Sequence, residues 1–280
     1  MKKTFLSFLF ILLTAVVFAQ SAKKPAGNLF IIGGGDRTPE IMKQMVQTAQ
    51  LQPTDYIAVL PMSGEEPDSS YLYFKWDAEL YFKNTIANLN FTKATVDNKK
   101  MLDSLLGAKL IFITGGDQNR FMDIVLHTPV YDAIHKAYET GATISGTSAG
   151  AAMMCKYMIT GNQLLDTTYY ATFYSMVDGN IELKEGLGLV ENIIVDQHFV
   201  VRSRYNRLFC ALHVHPDLLG TGIDEATALV IHGKKATVAG ESQVVVIKNK
   251  GKTYLGRNNS IGFDDLRVKI YVPGDTFTLR

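Results

Sequence analysis

Ala142-Thr-Ile-Ser-Gly146-Thr-Ser148-Ala-Gly150-Ala-Ala152 is an apolar run that passes through a glycine-flanked serine into small residues. This is the pattern of a buried strand turning sharply into a helix. Gly146-x-Ser148-x-Gly150 puts the serine on that turn, with its hydroxyl raised above the carboxyl end of the strand. The two glycines have a steric reason, because a turn this tight brings neighbouring backbone close on both sides.

The same unit recurs along the chain. Leu29–Ile32 runs into Gly33-Gly34-Gly35, Tyr56–Leu60 into Pro61, Leu110–Thr114 into Gly115-Gly116-Asp117, and Ile193–Asp196 into Gln197-His198. Helices are expected from about Thr38-Pro39-Glu40, around Tyr71–Leu89, Asn119–Leu126 and Val130–Thr140, with a short strand at Phe91–Val96. Continuous apolar strands alternating with helices predict a mostly parallel sheet covered on both faces, a doubly wound α/β fold. Ligands in such sheets bind beyond the carboxyl ends of the strands, where these breaks fall. The last third changes character. Ala228–His232, Ala236–Ala239, Val244–Lys248 and Val268–Val272 are short and β-rich, and are expected to form a strand-rich C-terminal extension of the same domain.

Composition narrows the function classes. The 280 residues are 47% hydrophobic and 20% charged, enough to build a core and unlike a disordered tail. A formal net charge of +1 gives no reason to expect a nucleic-acid or membrane-surface partner. Two cysteines, Cys155 and Cys210, exclude a disulfide scaffold and a four-thiolate zinc site. Both stand in apolar, helix-like contexts and are expected to be buried free thiols, with a disulfide left open.

At the N-terminus, Lys2-Lys3, the apolar stretch Phe5 to Phe18 and Val-Phe-Ala19 describe a secretory signal peptide. The stretch is shorter than the roughly 20 residues a membrane span needs. The expected organisation is a signal peptide over 1–19, a linker over 20–27 and one α/β domain over 28–280, in a secreted or periplasmic protein. Losing Lys2 and Lys3 from 28 basic residues leaves 26 against 27 acids, formally −1.

A serine nucleophile needs a base, and the base an orienting acid. Of six histidines, only His198 follows an expected strand at its carboxyl end. The acid is expected within Gly220-Thr-Gly-Ile-Asp224-Glu225, with Glu225 first and Asp224 as substitute. The order Ser148, His198, Glu225 differs from the serine-acid-histidine order of α/β-hydrolases, and no HGGG-type motif is present. The elbow is similar, but the fold is expected to be another.

Taken together, Thr114-Gly-Gly-Asp-Gln118, Gly146-Thr-Ser-Ala-Gly-Ala-Ala152, Asp196-Gln-His-Phe199 with Arg202, Arg204 and Arg207, and Gly222-Ile-Asp-Glu225 resemble the cyanophycinase family of S51 serine peptidases, related to the α-aspartyl dipeptidases. The resemblance implies a fold like that of class I glutamine amidotransferases (flavodoxin-like), and cleavage of peptide bonds beside aspartate. In cyanophycinases the substrate is an aspartate polymer carrying arginine, and β-Asp-Arg is released. The resemblance further implies Ser148 as nucleophile, His198 as base, Glu225 as orienter, and an oxyanion hole from the amides of Gly116 and Ala149. It implies a substrate pocket lined by Gln118, Asp196, Gln197, Arg202, Arg204 and Arg207. Arginines suit carboxylate-rich substrates because they are rigid bidentate donors, and Asp196 could pair with a substrate guanidinium. Two departures are visible. Val201-Arg202 stands where the family usually has Gln-Arg, which implies relaxed selectivity, and Ser145-Gly146 stands where it often has Gly-Gly.

The alternatives are an α- or β-aspartyl dipeptidase of the same family, or a binding protein of this fold that has lost catalysis. A metal site built on His213-x-His215 and His198 matches no recognised ligand spacing. No cofactor or metal is expected, and relatives suggest a homodimer.

Overall fold

The computed structural model describes residues 25–165 and 173–279. The expected signal peptide lies outside the described residues, as does most of the linker.

The first half alternates strands and helices in chain order: β1 (Asn28–Ile32), α1 (Pro39–Ala49), β2 (Tyr56–Leu60), α2 (Pro67–Glu79), β3 (Thr85–Asn88), α3 (Lys99–Leu106), β4 (Leu110–Ile113), α4 (Gln118–Val125), α5 (Pro129–Thr140), β5 (Thr143–Thr147) and the single turn α6 (Ala149–Ala152). The helices start where local chemistry allows. Thr38 caps α1, its hydroxyl accepting from the Ile41 amide, with Pro39 in the first turn. Ile41, Met42, Met45 and Ala49 then face the sheet at helical spacing. Asp117 caps α4 through the Asn119 amide.

The second half is β6 (Tyr157–Gln163), β7 (Ile181–Glu185), β8 (Ile193–Gln197), α7 (Tyr205–Val214), β9 (Leu219–Ile223), β10 (Thr227–His232), β11 (Lys235–Gly240), β12 (Val244–Asn249), β13 (Thr253–Leu255), β14 (Ile261–Phe263), β15 (Leu266–Tyr271) and β16 (Thr276–Thr278). The main sheet has eight strands in the order β16-β11-β10-β1-β5-β4-β2-β3. Its five strands from β1 to β3 are parallel, while β10, β11 and β16 add on antiparallel. A second sheet runs β15-β12-β9-β8, with only β8 and β9 parallel.

Ile193–Asp196 is a strand, but of the second sheet, not of the parallel one. The strands of the expected C-terminal extension divide between the two sheets: β10, β11 and β16 join the main sheet, and β12 and β15 join β8 and β9 in the second. The expected strand at Phe91–Val96 lies in loop, its place taken by β3, while α2 ends at Glu79.

One face of the main sheet packs Phe30, Ile32, Val59 and Phe112 against α1 and α2. The other packs Leu29, Ile31, Ile111 and Ile113 against α4, α5 and the inner face of the second sheet, through Val195, Ile223 and Val246. The outer face of the second sheet, with Ile194, Val245 and Ile247, is covered by Leu208, Ala211 and Leu212 of α7. The two sheets therefore meet beside the carboxyl ends of β1 and β5. Among the described residues no helix is long and apolar enough to cross a membrane.

Candidate active site

Ser148 sits between β5 and α6 with φ 53° and ψ −111°, outside the regions a non-glycine residue ordinarily occupies. Such a conformation costs on the order of 1–3 kcal/mol and persists only where its surroundings enforce it. Here they do. A Cβ on Gly146 would run into the carbonyl of Gly150, and one on Gly150 would lie 2.5 Å from the Ile113 carbonyl oxygen. The Ser148 amide is fixed by the carbonyl of Ile32 at 3.0 Å.

His198 follows β8, with φ 49° and its amide donating to the Gly33 carbonyl at 2.7 Å. Its Nε2 lies 2.8 Å from Ser148 Oγ, and its Nδ1 lies 2.5 Å from Glu225 Oε1. Glu225 belongs to the three-residue link between β9 in the second sheet and β10 in the main sheet. The three groups thus come from both sheets and meet at the seam. Burial, the largest cause, pushes the His198 pKa below its ordinary value; Glu225 opposes this, while Arg202 and Arg204 reinforce it. An imidazole that is neutral near pH 7 and fixed by a carboxylate can accept a hydroxyl proton.

The run Gly33-Gly34-Gly35 makes this meeting possible. A Cβ on Gly33 would collide with the Asp224 carbonyl, one on Gly34 with the His198 ring, and one on Gly35 would lie 2.7 Å from Glu225 Cβ. Gly34 and Gly35 also hold φ values of +109° and +70°. Sequence reasoning used this run only as a strand end. Asp224, the substitute orienter, accepts from the Val200 and Val201 amides at 3.0 Å each and from the Ser242 hydroxyl at 2.7 Å. It therefore pins the turn that follows His198.

Gly116 lies in the turn between β4 and α4, across from the serine: a Cβ on its neighbour Gly115 would stand 3.4 Å from Ser148 Cβ. Among the described residues, neither the Gly116 nor the Ala149 amide donates to a backbone carbonyl in the loop and cap contacts.

The expected pocket residues separate into two groups. Gln118, Asp196, Gln197, Arg204 and Arg207 are buried together. Arg207 makes a bidentate ion pair with Asp196, its Nε donating to Oδ2 at 2.6 Å and its Nη2 to Oδ1. Arg204 donates to the Gln197 carbonyl at 2.9 Å and to its side-chain oxygen at 2.5 Å. Gln118 donates to the carbonyls of Ile159 and Thr160 at 2.9 and 2.7 Å. Asp196 is fully enclosed, held by Arg207 and with Arg204 3.8 Å away. Arg202 differs: its side chain is 40% exposed, with Nε 4.0 Å from Glu225 Oε1.

The histidines of the suggested metal site lie apart from this chemistry. His213 faces Asp178 and His215 stacks on Tyr157, while His198 is engaged by Ser148 and Glu225. Among the described residues, no group of three or more His, Cys, Asp or Glu is placed to hold a metal ion. Cys155 and Cys210 are free and buried, and burial raises their pKa values to about 12 and about 11. Cys210 lies in α7, whereas Cys155 follows α6 in a bridge to Val190, not in a helix.

One cleft beside this site was invisible in the sequence. It is lined by Gly34, Gly35 and Arg37, by Ser70, Tyr73 and Phe74 of α2, by Phe112, Thr114 and Gly115, and by Thr147, Ser148 and His198. A lone arginine five residues past a strand carries no pattern that would single it out.

A mixed α/β fold with a serine elbow beside an imidazole and a carboxylate defines a hydrolase of the serine type. Comparison places it further. Residues 29–239 match the model of peptidase family S51. The chain is 32% identical over 232 residues to a cyanophycinase of Synechococcus elongatus, covering 80% of this chain and 70% of that protein. It is 33% identical over 236 residues to a cyanophycinase of Trichormus variabilis, covering 80% and 75%. A peptidase from an acI-B1 actinobacterium shares the fold, with a TM-score of 0.65 at 19% identity over 91% of this chain and 98% of that one. The chain belongs to peptidase family S51 and is a serine-type peptidase of the cyanophycinase kind.

Proposed function

We propose that this peptidase cleaves peptide bonds next to aspartyl residues, releasing β-Asp-Arg dipeptides from cyanophycin through an acyl-enzyme. His198 Nε2 takes the proton of Ser148 as Oγ attacks the scissile carbonyl carbon. Glu225 holds the ring by Nδ1 and stabilises its charged form. The amides of Gly116 and Ala149 receive the developing oxyanion. His198 then delivers the proton to the leaving amine, and water, deprotonated by the same ring, hydrolyses the ester. The observation that carries this reading is the continuous contact Ser148–His198–Glu225, at 2.8 and 2.5 Å, on a strained elbow.

Gln118, Asp196, Gln197, Arg204 and Arg207 are read as the rigid wall behind His198, and Arg202 as the member of the set that can reach substrate. Export through the N-terminal signal peptide belongs to the same proposal. It places the enzyme where polymer released by other cells is met.

Turnover of cyanophycin granules, set against α- and β-aspartyl dipeptides, tests the substrate. Release of β-Asp-Arg from granules by the wild type is expected. Ser148→Ala should lower kcat by several orders of magnitude with the fold unchanged. Cleavage of dipeptides alone would make it a dipeptidase, and near-normal turnover by Ser148→Ala would end the serine mechanism.

A further inference from the structure

Beside Ser148 and His198, the cleft of about 240 Å³ has walls from the β1–α1 loop, α2 and the end of β4. Apart from His198, its one titratable side chain of charged type is Arg37. That side chain is only 7% exposed, and a guanidinium so placed is costly unless its donors are used. Nη2 donates to Asp77 Oδ2 at 2.6 Å. Nε is buried with no hydrogen-bond partner, and so is the hydroxyl oxygen of Thr114 on the same lining. The guanidinium carbon lies 4.8 Å from the Tyr73 ring centre and 6.0 Å from those of Phe74 and Phe112. These rings fix its plane. Asp77 does not line the cleft. A fixed cation with a spare donor, a second spare donor and an aromatic surround describe a receptor for one carboxylate.

We infer that Arg37, with Thr114, binds a free α-carboxylate of the substrate near the scissile bond, in cyanophycin that of an arginine branch since its β-carboxyls are amidated, and sets the preference of this peptidase for substrates that carry one. The inference rests on the aspartyl-peptidase reading above. It moves the recognition of charge from Arg204 and Arg207, whose donors serve Gln197 and Asp196, to the cleft that Arg37 lines with Ser148 and His198.

The test compares Arg37→Gln, Arg37→Lys and Asp77→Asn with the wild type on a short β-Asp-Arg oligomer and on the same oligomer with its arginine carboxylates amidated. Labelling of Ser148 by a small neutral fluorophosphonate runs in parallel. For Arg37→Gln, the carboxylate-over-amide ratio of kcat/KM should fall about 10- to 150-fold, the range for a charged hydrogen bond, with Ser148 labelled at the wild-type rate. Arg37→Lys should keep part of the ratio. Asp77→Asn, which frees a guanidinium donor without removing charge from the cleft, should keep or raise it. An unchanged ratio in Arg37→Gln, or a loss of labelling equal to the loss of turnover, would overturn the assignment and leave Arg37 a structural group. Failure of Ser148 to label in the wild type would instead end the serine mechanism and leave the carboxylate site to be judged by direct binding of succinate, expected in wild type and lost in Arg37→Gln.

Discussion

A single methyl group is enough to test the site. Gly34→Ala would put a Cβ into the space of the His198 ring. The ring must move, and a displacement of about 1 Å in a catalytic group can cost on the order of 10²-fold in rate. Gly34→Ala should therefore lose turnover by about that factor while its far-UV circular dichroism stays native. The protonation of His198 gives a second handle. Its pKa is pushed below 6.5, first by burial and also by Arg202, with Glu225 pulling the other way. In the proposed mechanism the neutral ring is the base, so kcat/KM should be level near pH 7 and fall only as pH drops through a limb below 6.5. Arg202→Gln removes a cation that favours the neutral ring, so the limb should move to higher pH. A limb that stays put in the pH–rate profile would detach Arg202 from the base.

At the scale of elements, the buried pair between β8 and α7 can be weighed. Asp196 is fully enclosed and Arg207 nearly so, and losing Arg207 leaves the carboxylate with Arg204, 3.8 Å away, as its remaining ion-pair partner among the described residues. Arg207→Met should cost about 3–5 kcal/mol in denaturant melts. The double variant Asp196→Leu/Arg207→Met should not regain wild-type stability, because buried Arg204 then loses the carboxylate 3.8 Å from it. The same scale shows what could be read beforehand. β1, β2 and β4 were legible because they are buried on both faces and hence apolar almost throughout, whereas β5, Thr-Ile-Ser-Gly-Thr, was legible from the glycine-flanked serine it runs into. The edge strand β3, Thr-Ile-Ala-Asn, carries no such run, and attention passed to Phe91, a buried side chain on a loop. β9 was missed because two of its five residues are glycine, which reads as turn. The apolar pattern of β8 was recognised but not its sheet, because an apolar strand looks alike in either. Ser148, His198 and Glu225 were legible because each closes a motif. Arg37 and the role of the glycine run were not, because both depend on neighbours distant in sequence.

For the whole molecule, the proposed export makes a direct prediction. Expressed with its own N-terminus in a bacterial host, the protein should leave the cytoplasm and begin at Gln20, read by N-terminal sequencing. A cytoplasmic product starting at Met1 would refute it. The two buried thiols suit that destination, since burial keeps both in the unreactive protonated form.

The order in which the site's parts occur along the chain has a consequence for its synthesis. Ser148 emerges first, fifty residues ahead of His198 and well ahead of Glu225. The strand after Glu225, β10, must then slot beside β1, the first strand made, before the acid is seated. Under the proposed mechanism, a nascent or prematurely terminated chain carries the serine without its histidine and carboxylate, so the three groups can meet only once the last third of the chain has come back to its beginning.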